Sequence, residues 1–281
     1  MKAHSGPVLK ISLSHQEDFL MSCSSDKTIK MWDLDGKFKQ SFVGHTNWVR
    51  ECQVSFDQRL LLSCSDDRSV KLWDIDKATI SATFCEHKSE VLSCKFTPDG
   101  TCIAASAIDG TIKLWDTRLG KLILHYNAHD RSVNRIAFHP LGYHMASVSS
   151  DNKVKIWELK QGRLGWTVFG HEGEIRTVEF NEKGDYFATG ADDKLVMIWQ
   201  SNFDREVNGG GRGVQDNFRE KANGDGIQPL FRSNKMGPEP DLPPCDLGEG
   251  QRSVSSGSSV NGTARPEKFE VLPDELRKWL K

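Results

Sequence analysis

An all-β fold of five repeated four-stranded units is predicted by three features of this 281-residue chain. Trp32, Trp73, Trp115, Trp157 and Trp199 recur at spacings of 41, 42, 42 and 42 residues. Each is preceded by a histidine 28 positions upstream (His4, His45, His87, His129, His171) and by an aspartate six positions upstream (Asp26, Asp67, Asp109, Asp151, Asp193). Within each copy apolar residues alternate with the period of two that sends both side chains to one sheet face. A unit of this length cannot bury its apolar face alone, so successive copies must stack on one another.

The copies run over about 1–41, 42–83, 84–125, 126–167 and 168–204. In each, the first strand carries an apolar pair seven and nine residues after the histidine: Ile11 and Leu13, Cys52 and Val54, Cys94 and Phe96, Ile136 and Phe138, Val178 and Phe180. A turn such as "TPDG" or "HPLG" follows, and then a second apolar run such as "LLLSCS" or "YFATGA". The aspartate sits in the next tight turn, and the third strand ("TIKMWD", "VKLWD", "TIKLWD", "KVKIWE", "VMIWQ") runs into the tryptophan. A more polar fourth strand, "FKQSFV" or "KLILHY", leads to the next histidine.

These residues resemble the WD40 repeat, which has four strands per propeller blade, a Gly-His-like start and a Trp-Asp end. The resemblance covers residues 1–204 and implies a β-propeller of five blades. It further implies a hydrogen-bonded tetrad inside each blade, in which the histidine, the aspartate and the tryptophan meet a hydroxyl four residues before the aspartate. Ser22, Ser63, Ser147 and Thr189 stand there, whereas the third copy has Ala105. Ser, His and Asp together suggest nucleophilic catalysis. Catalysis needs one such set in a pocket, while this chain repeats it at blade-core positions, so the tetrads read as structural. No catalytic residue, metal ligand or cofactor is expected.

A propeller closes when its blades complete a ring, and in the WD40 family a strand from the N-terminus usually seals the last blade. Three residues precede His4, and no outer strand is evident between Trp199 and the change in composition at Asp204. The sequence therefore predicts the outer strand only four times. The expectation is a strained five-blade ring with an unsealed seam or, preferred, an open arc equivalent to five blades of a seven-bladed parent of which this is a shortened form. Such an arc is expected to fold poorly by itself.

A net charge of −2 supplies no global field toward nucleic acid or an anionic membrane. The start "MKAHSGPVLKI" lacks the apolar core of a signal peptide, and no run approaches the ~18 apolar residues of a membrane span. A soluble, intracellular protein is expected. Its seven cysteines form no CxxC pair and read as reduced thiols. The Gly, Pro and Ser of "NGGGRG", "GPEPDLPP" and "SVSSGSSVNG" predict a disordered tail over 205–281. Leu276, Trp279 and Leu280 have the spacing of a short helix over 273–281, with a frayed end as the alternative.

A closer resemblance rests on "HTNWVRECQVSFDQRLLLSCSDDRSVKLWD", "TCIAASAIDGTIKLWDTRLGKLILHY", "SVNRIAFHPLGYHMASVSSD" and the terminal "SNFD". These are similar to the later five of seven blades in the centriolar WD40 family called proteome of centriole protein one. That resemblance implies a non-enzymatic scaffold of centrioles and basal bodies in the cytoplasm and cytoskeleton, needed for cilium formation. Its partners would be other proteins, centriolar, basal-body or microtubule-associated, with no nucleic acid, membrane or small-molecule ligand. The alternative is a substrate-receptor adaptor of a cullin ubiquitin ligase, suggested by the WDxR-like "WDTR" at Trp115 to Arg118. Partners of this family dock most often on the loops that follow the histidines and on the turns before the third strands. Trp48, Arg50, Asp66, Lys88 and Arg131 are the candidate contacts, because aromatic and arginine side chains dominate interface energetics, with packing between neighbouring blades as the equal alternative for Trp48.

Overall fold

The computed structural model describes residues 3–201 and 229–232. Five antiparallel sheets follow one another along the chain, each a four-stranded meander in sequence order. The first blade holds β1 (Val8–Leu13), β2 (Phe19–Ser24), β3 (Thr28–Asp33) and β4 (Phe38–Val43). The second holds β5 (Val49–Val54), β6 (Leu60–Ser65), β7 (Val70–Asp74) and β8 (Thr79–Phe84). The third holds β9 (Val91–Phe96), β10 (Cys102–Ala107), β11 (Thr111–Asp116) and β12 (Leu122–Asn127). The fourth holds β13 (Val133–Phe138), β14 (His144–Ser149), β15 (Lys153–Glu158) and β16 (Arg163–Phe169). The fifth holds β17 (Ile175–Phe180), β18 (Tyr186–Ala191), β19 (Val196–Gln200) and β20 (Pro229–Arg232).

The last strand corrects the sequence reading in two ways. The outer strand is present five times, and it comes from inside the segment expected to be disordered. Met197 pairs with Arg232 and Ile198 with Phe231 across the antiparallel ladder. The physical reason is the free edge of β19, whose unpaired N–H and C=O groups are a template for any extended segment that reaches them. The remainder of the tail, the candidate helix over 273–281 and Cys245 lie outside the described residues.

Blades stack through alternating faces. Val154 and Ile156 of β15 pack with Val178, Phe187, Met197 and Trp199 of the fifth blade in one core cluster. Equivalent clusters join the first blade to the second, the second to the third and the third to the fourth. Among the described residues, the outward faces of the first and fifth blades have no such cover. Ile11, in the register of the buried Cys52, Cys94, Ile136 and Val178, is 64% exposed, and Leu13 is 60% exposed. On the far side Val196, in the register of the buried Val70, Ile112 and Val154, is 55% exposed. The described residues therefore form an arc with an open seam.

The turns before the third strands demand left-handed backbone. Lys27, Arg68, Asn152 and Lys194 have φ between 63° and 72° there, and the third blade uses Gly110 at φ 81°. At Gly110 a Cβ would collide with the carbonyl oxygen of His129, so only glycine lets the next loop approach. Both Ala128 N and His129 N donate to Gly110 O at 3.0 Å.

Candidate docking face

Four tetrads share one geometry. In the second blade His45 Nδ1 donates to Asp67 Oδ2 at 2.8 Å, Ser63 Oγ–H donates to His45 Nε2 at 2.8 Å, and Trp73 Nε1 donates to Ser63 Oγ at 2.8 Å. The directions follow from the ionised aspartate, which can only accept and so places a hydrogen on Nδ1, and from the indole N–H, which can only donate. The same chain runs through His4, Asp26, Ser22 and Trp32. It recurs through His129, Asp151, Ser147 and Trp157, and through His171, Asp193, Thr189 and Trp199. Burial alone would raise the Asp67 carboxyl, but hydrogen bonds from His45, Ser69 and the Thr46 amide hold it well below the usual carboxylate range. Ser69 and Thr28, two residues after the aspartate, are contributors that the sequence reading missed, with Oγ–H to Oδ1 distances of 2.6 and 2.7 Å. These groups are buried inside blades and serve to tie the loop after each histidine to the turn before the third strand.

The third set departs from the tetrad expected for His87, Asp109 and Trp115. With Ala105 in the hydroxyl's place, Trp115 Nε1 donates instead to Glu86 Oε2 at 3.1 Å. His87 meets Asp109 only through Thr111, whose Oγ1 lies 3.4 Å from His87 Nδ1 and donates to Asp109 Oδ1 at 2.6 Å. His87 Nε2 is buried without a hydrogen-bond partner among the described residues. Burial, then the charge of Lys113, pushes the His87 imidazole down to about 4.

The loop face is built by a repeated backbone irregularity. In β5, Val49 pairs with Ser65 and Glu51 with Cys64, so Arg50 is bulged out of the ladder. A bulge re-aims the side chain it carries, and Arg50 points to the turn of its own blade. Its Nε and Nη2 donate to the two oxygens of Asp66 at 2.7 Å each, a bidentate pair. The Arg50 guanidinium also lies 5.1 Å from the indole centroid of Trp48. Asp66 N donates to Trp48 O at 3.0 Å, which fastens the two loops. Trp48 remains 46% exposed. Three of the five candidate contacts thus form one cluster, with the indole held on a pinned cation.

Lys88 and Arg131 are exposed on the corresponding loops of the third and fourth blades. Among the described residues neither forms an ion pair with the Trp48 cluster. Arg131 instead lines a 470 Å³ cleft with Asp130, Lys153, Glu172 and Glu174. One further pair went unread in the sequence. Arg176 is bulged out of β17 and donates to both oxygens of Asp192, at 2.9 and 2.6 Å. Arg50 and Arg176 each stand five residues after their histidine, and Asp66 and Asp192 each stand 21 after it. That shared offset was the signal. In the "WDTR" stretch Trp115 is wholly buried, Asp116 Oδ1 accepts the Arg118 and Leu119 amides at 2.8 Å, and Arg118 is exposed.

No group of three or more His, Cys, Asp or Glu side chains among the described residues is placed to hold a metal ion. No helix among them is long and apolar enough to cross a membrane.

The family model described as "WD domain, G-beta repeat" matches residues 1–33, 36–74, 78–116, 120–158 and 162–200. Among curated proteins, target of rapamycin complex subunit LST8-1 of Arabidopsis thaliana is 43% identical over 49 residues, 17% of this chain and 16% of the relative. "Non-functional target of rapamycin complex subunit LST8-2" of the same plant is 43% identical over 54 residues, 18% of this chain and 17% of the relative. Nuclear distribution protein PAC1 of Komagataella phaffii is 62% identical over 32 residues, 11% of this chain and 6% of the relative. The matched stretches span under a fifth of each relative's length.

Proposed function

Because the chain belongs to the WD40 repeat family, we propose that it is a scaffold for protein–protein interaction that docks partners on the loop face around Trp48. The observation that carries this reading is the exposed indole seated on Arg50, itself fixed by a bidentate bond to Asp66. A large ring held rigid before binding loses little conformational entropy on contact, and this is what distinguishes an interface anchor from a solvated side chain. The Ser, His and Asp side chains that could suggest chemistry are consumed inside the blades.

The finer reading places this scaffold at centrioles and basal bodies, in support of cilium formation. It rests on the resemblance of the blade sequences to the centriolar WD40 family. The curated relatives match over about one blade each and carry other roles in their names, so they do not select among assemblies. The test is fluorescence localisation of the tagged full chain in ciliated cells, beside its Trp48→Ala and Arg50→Ala variants. Enrichment at centrioles that either variant abolishes is the expected result. Diffuse signal, together with co-purification of a cullin ligase's propeller adaptor, would replace this assignment with the ligase-adaptor alternative.

A further inference from the structure

The inner strands β1, β5, β9, β13 and β17 converge on a group of charges that the tetrads and the loop face do not use. Glu51 is buried, and its Oε2 accepts Ser93 Oγ–H at 2.6 Å and the Cys94 amide at 3.2 Å. Its Oε1 accepts Arg135 Nη2 at 2.8 Å, with Lys10 Nζ at 3.7 Å and Lys95 Nζ at 3.8 Å. Three cations thus share one carboxylate oxygen, and the two lysines stand beyond ordinary hydrogen-bond distance. Glu179 of β17 is the second acid in reach of Lys10. Three positive charges against two negative leave the group one anion short. Burial, then the neighbouring Arg135, pulls the Lys10 ammonium below the usual lysine range, as expected where positive charge is in excess.

Lys95 and Glu179 also line a 300 Å³ cavity at the C-terminal ends of the inner strands, the end opposite Trp48 and Arg50. Apolar side chains surround them, among them Leu13, Phe96 and Phe138. Phe56, 68% exposed, stands at the rim with the His15 ring 4.1 Å from its own. The two charged residues of the lining, Lys95 and Glu179, balance each other. The excess positive charge therefore comes from Lys10 and Arg135, which share the Glu51 carboxylate with Lys95, and apolar walls focus the field of that charge into the cavity.

We infer that this end of the channel is a second docking site, taking an acidic side chain of a partner protein flanked by an apolar residue, with the carboxylate on Lys95 and the apolar neighbour against Phe56. It is independent of the Trp48 face.

Fluorescence polarisation tests it with the full chain and a labelled, blocked peptide carrying Glu-Phe-Glu between Gly-Ser spacers, beside the same peptide with Gln for Glu. The expected result is at least about tenfold weaker binding of the Gln peptide. Lys95→Gln and the rim variant Phe56→Ser should each weaken binding of the Glu peptide, and Trp48→Ala should leave it unchanged. Equal binding of the two peptides, no binding at millimolar concentration, or no loss in either channel variant would overturn the inference. So would displacement by inorganic phosphate with Phe56→Ser silent, since that describes a bare anion site. Loss of binding in Trp48→Ala alone would move the peptide to the loop face, overturning this site while supporting the other.

Discussion

At the scale of single residues the third blade is the informative one. Ser63 serves two buried partners, so Ser63→Ala strands His45 Nε2 and Trp73 Nε1 together. A loss of about 1–3 kcal/mol is expected from chemical unfolding, the desolvation cost of buried groups left unpaired. The third blade already lacks that hydroxyl and has replaced half of its work with Glu86. Glu86→Ala should therefore lower the melting temperature, whereas Ala105→Ser, which gives His87 and Trp115 a shared hydroxyl, should raise it. The same site carries a pH dependence. His87 titrates near 6.5 when unfolded and about 4 when folded, so the unfolded chain takes up a proton that the folded chain rejects. The stability from keeping it neutral is whole above about pH 6.5 and is lost as pH falls toward about 4. Melting curves across that window should slope downward with acidity, and His87→Gln should flatten the slope. The depressed tetrad aspartates act lower, below about pH 4, where protonating them progressively removes the stability their hydrogen bonds contribute.

At the scale of elements the inner strands and the last outer strand behave differently from their sequence patterns. The apolar pair seven and nine residues after each histidine marks the strand, because alternation is a local property. The bulge at the fifth residue is not visible in that pattern, yet it decides that Arg50 and Arg176 face the turns of their own blades. The offsets that join them to Asp66 and Asp192 lie in the sequence. They acquire meaning only when the first strand and the turn are known to be adjacent. The pairing of β20 with β19 gives a direct test. In a chain ending at residue 204, the β19 amides that face β20 should lose hydrogen-exchange protection, while those of β15, paired to β16, keep theirs. Unchanged protection in β19 would show that β20 contributes nothing to the edge.

For the whole molecule, the open seam makes one residue type behave in two ways. Ile11 and Val178 occupy the same register, one exposed and one buried against the preceding blade. Ile11→Lys should change stability by no more than about 0.5 kcal/mol, as for an ordinary surface position. Val178→Lys should cost about 3 kcal/mol or more, because an unpaired charge would be trapped between the fourth and fifth blades. Equal losses in urea unfolding would mean that the first blade's face is covered in solution. The sequence by itself determined the repeat and the order of strands within each blade, and its resemblance to the WD40 repeat implied the tetrads, four of which form. All of these involve regularly spaced residues whose partners lie within one blade. Only the tertiary structure decided that Glu86 stands in for the missing hydroxyl and that a strand from the tail completes the fifth sheet. It also decided that Glu51 and Arg135, 84 residues apart, meet in the channel. Those contacts depend on which groups are left unpaired once the blades have stacked, a property of the assembled sheets and not of any one repeat.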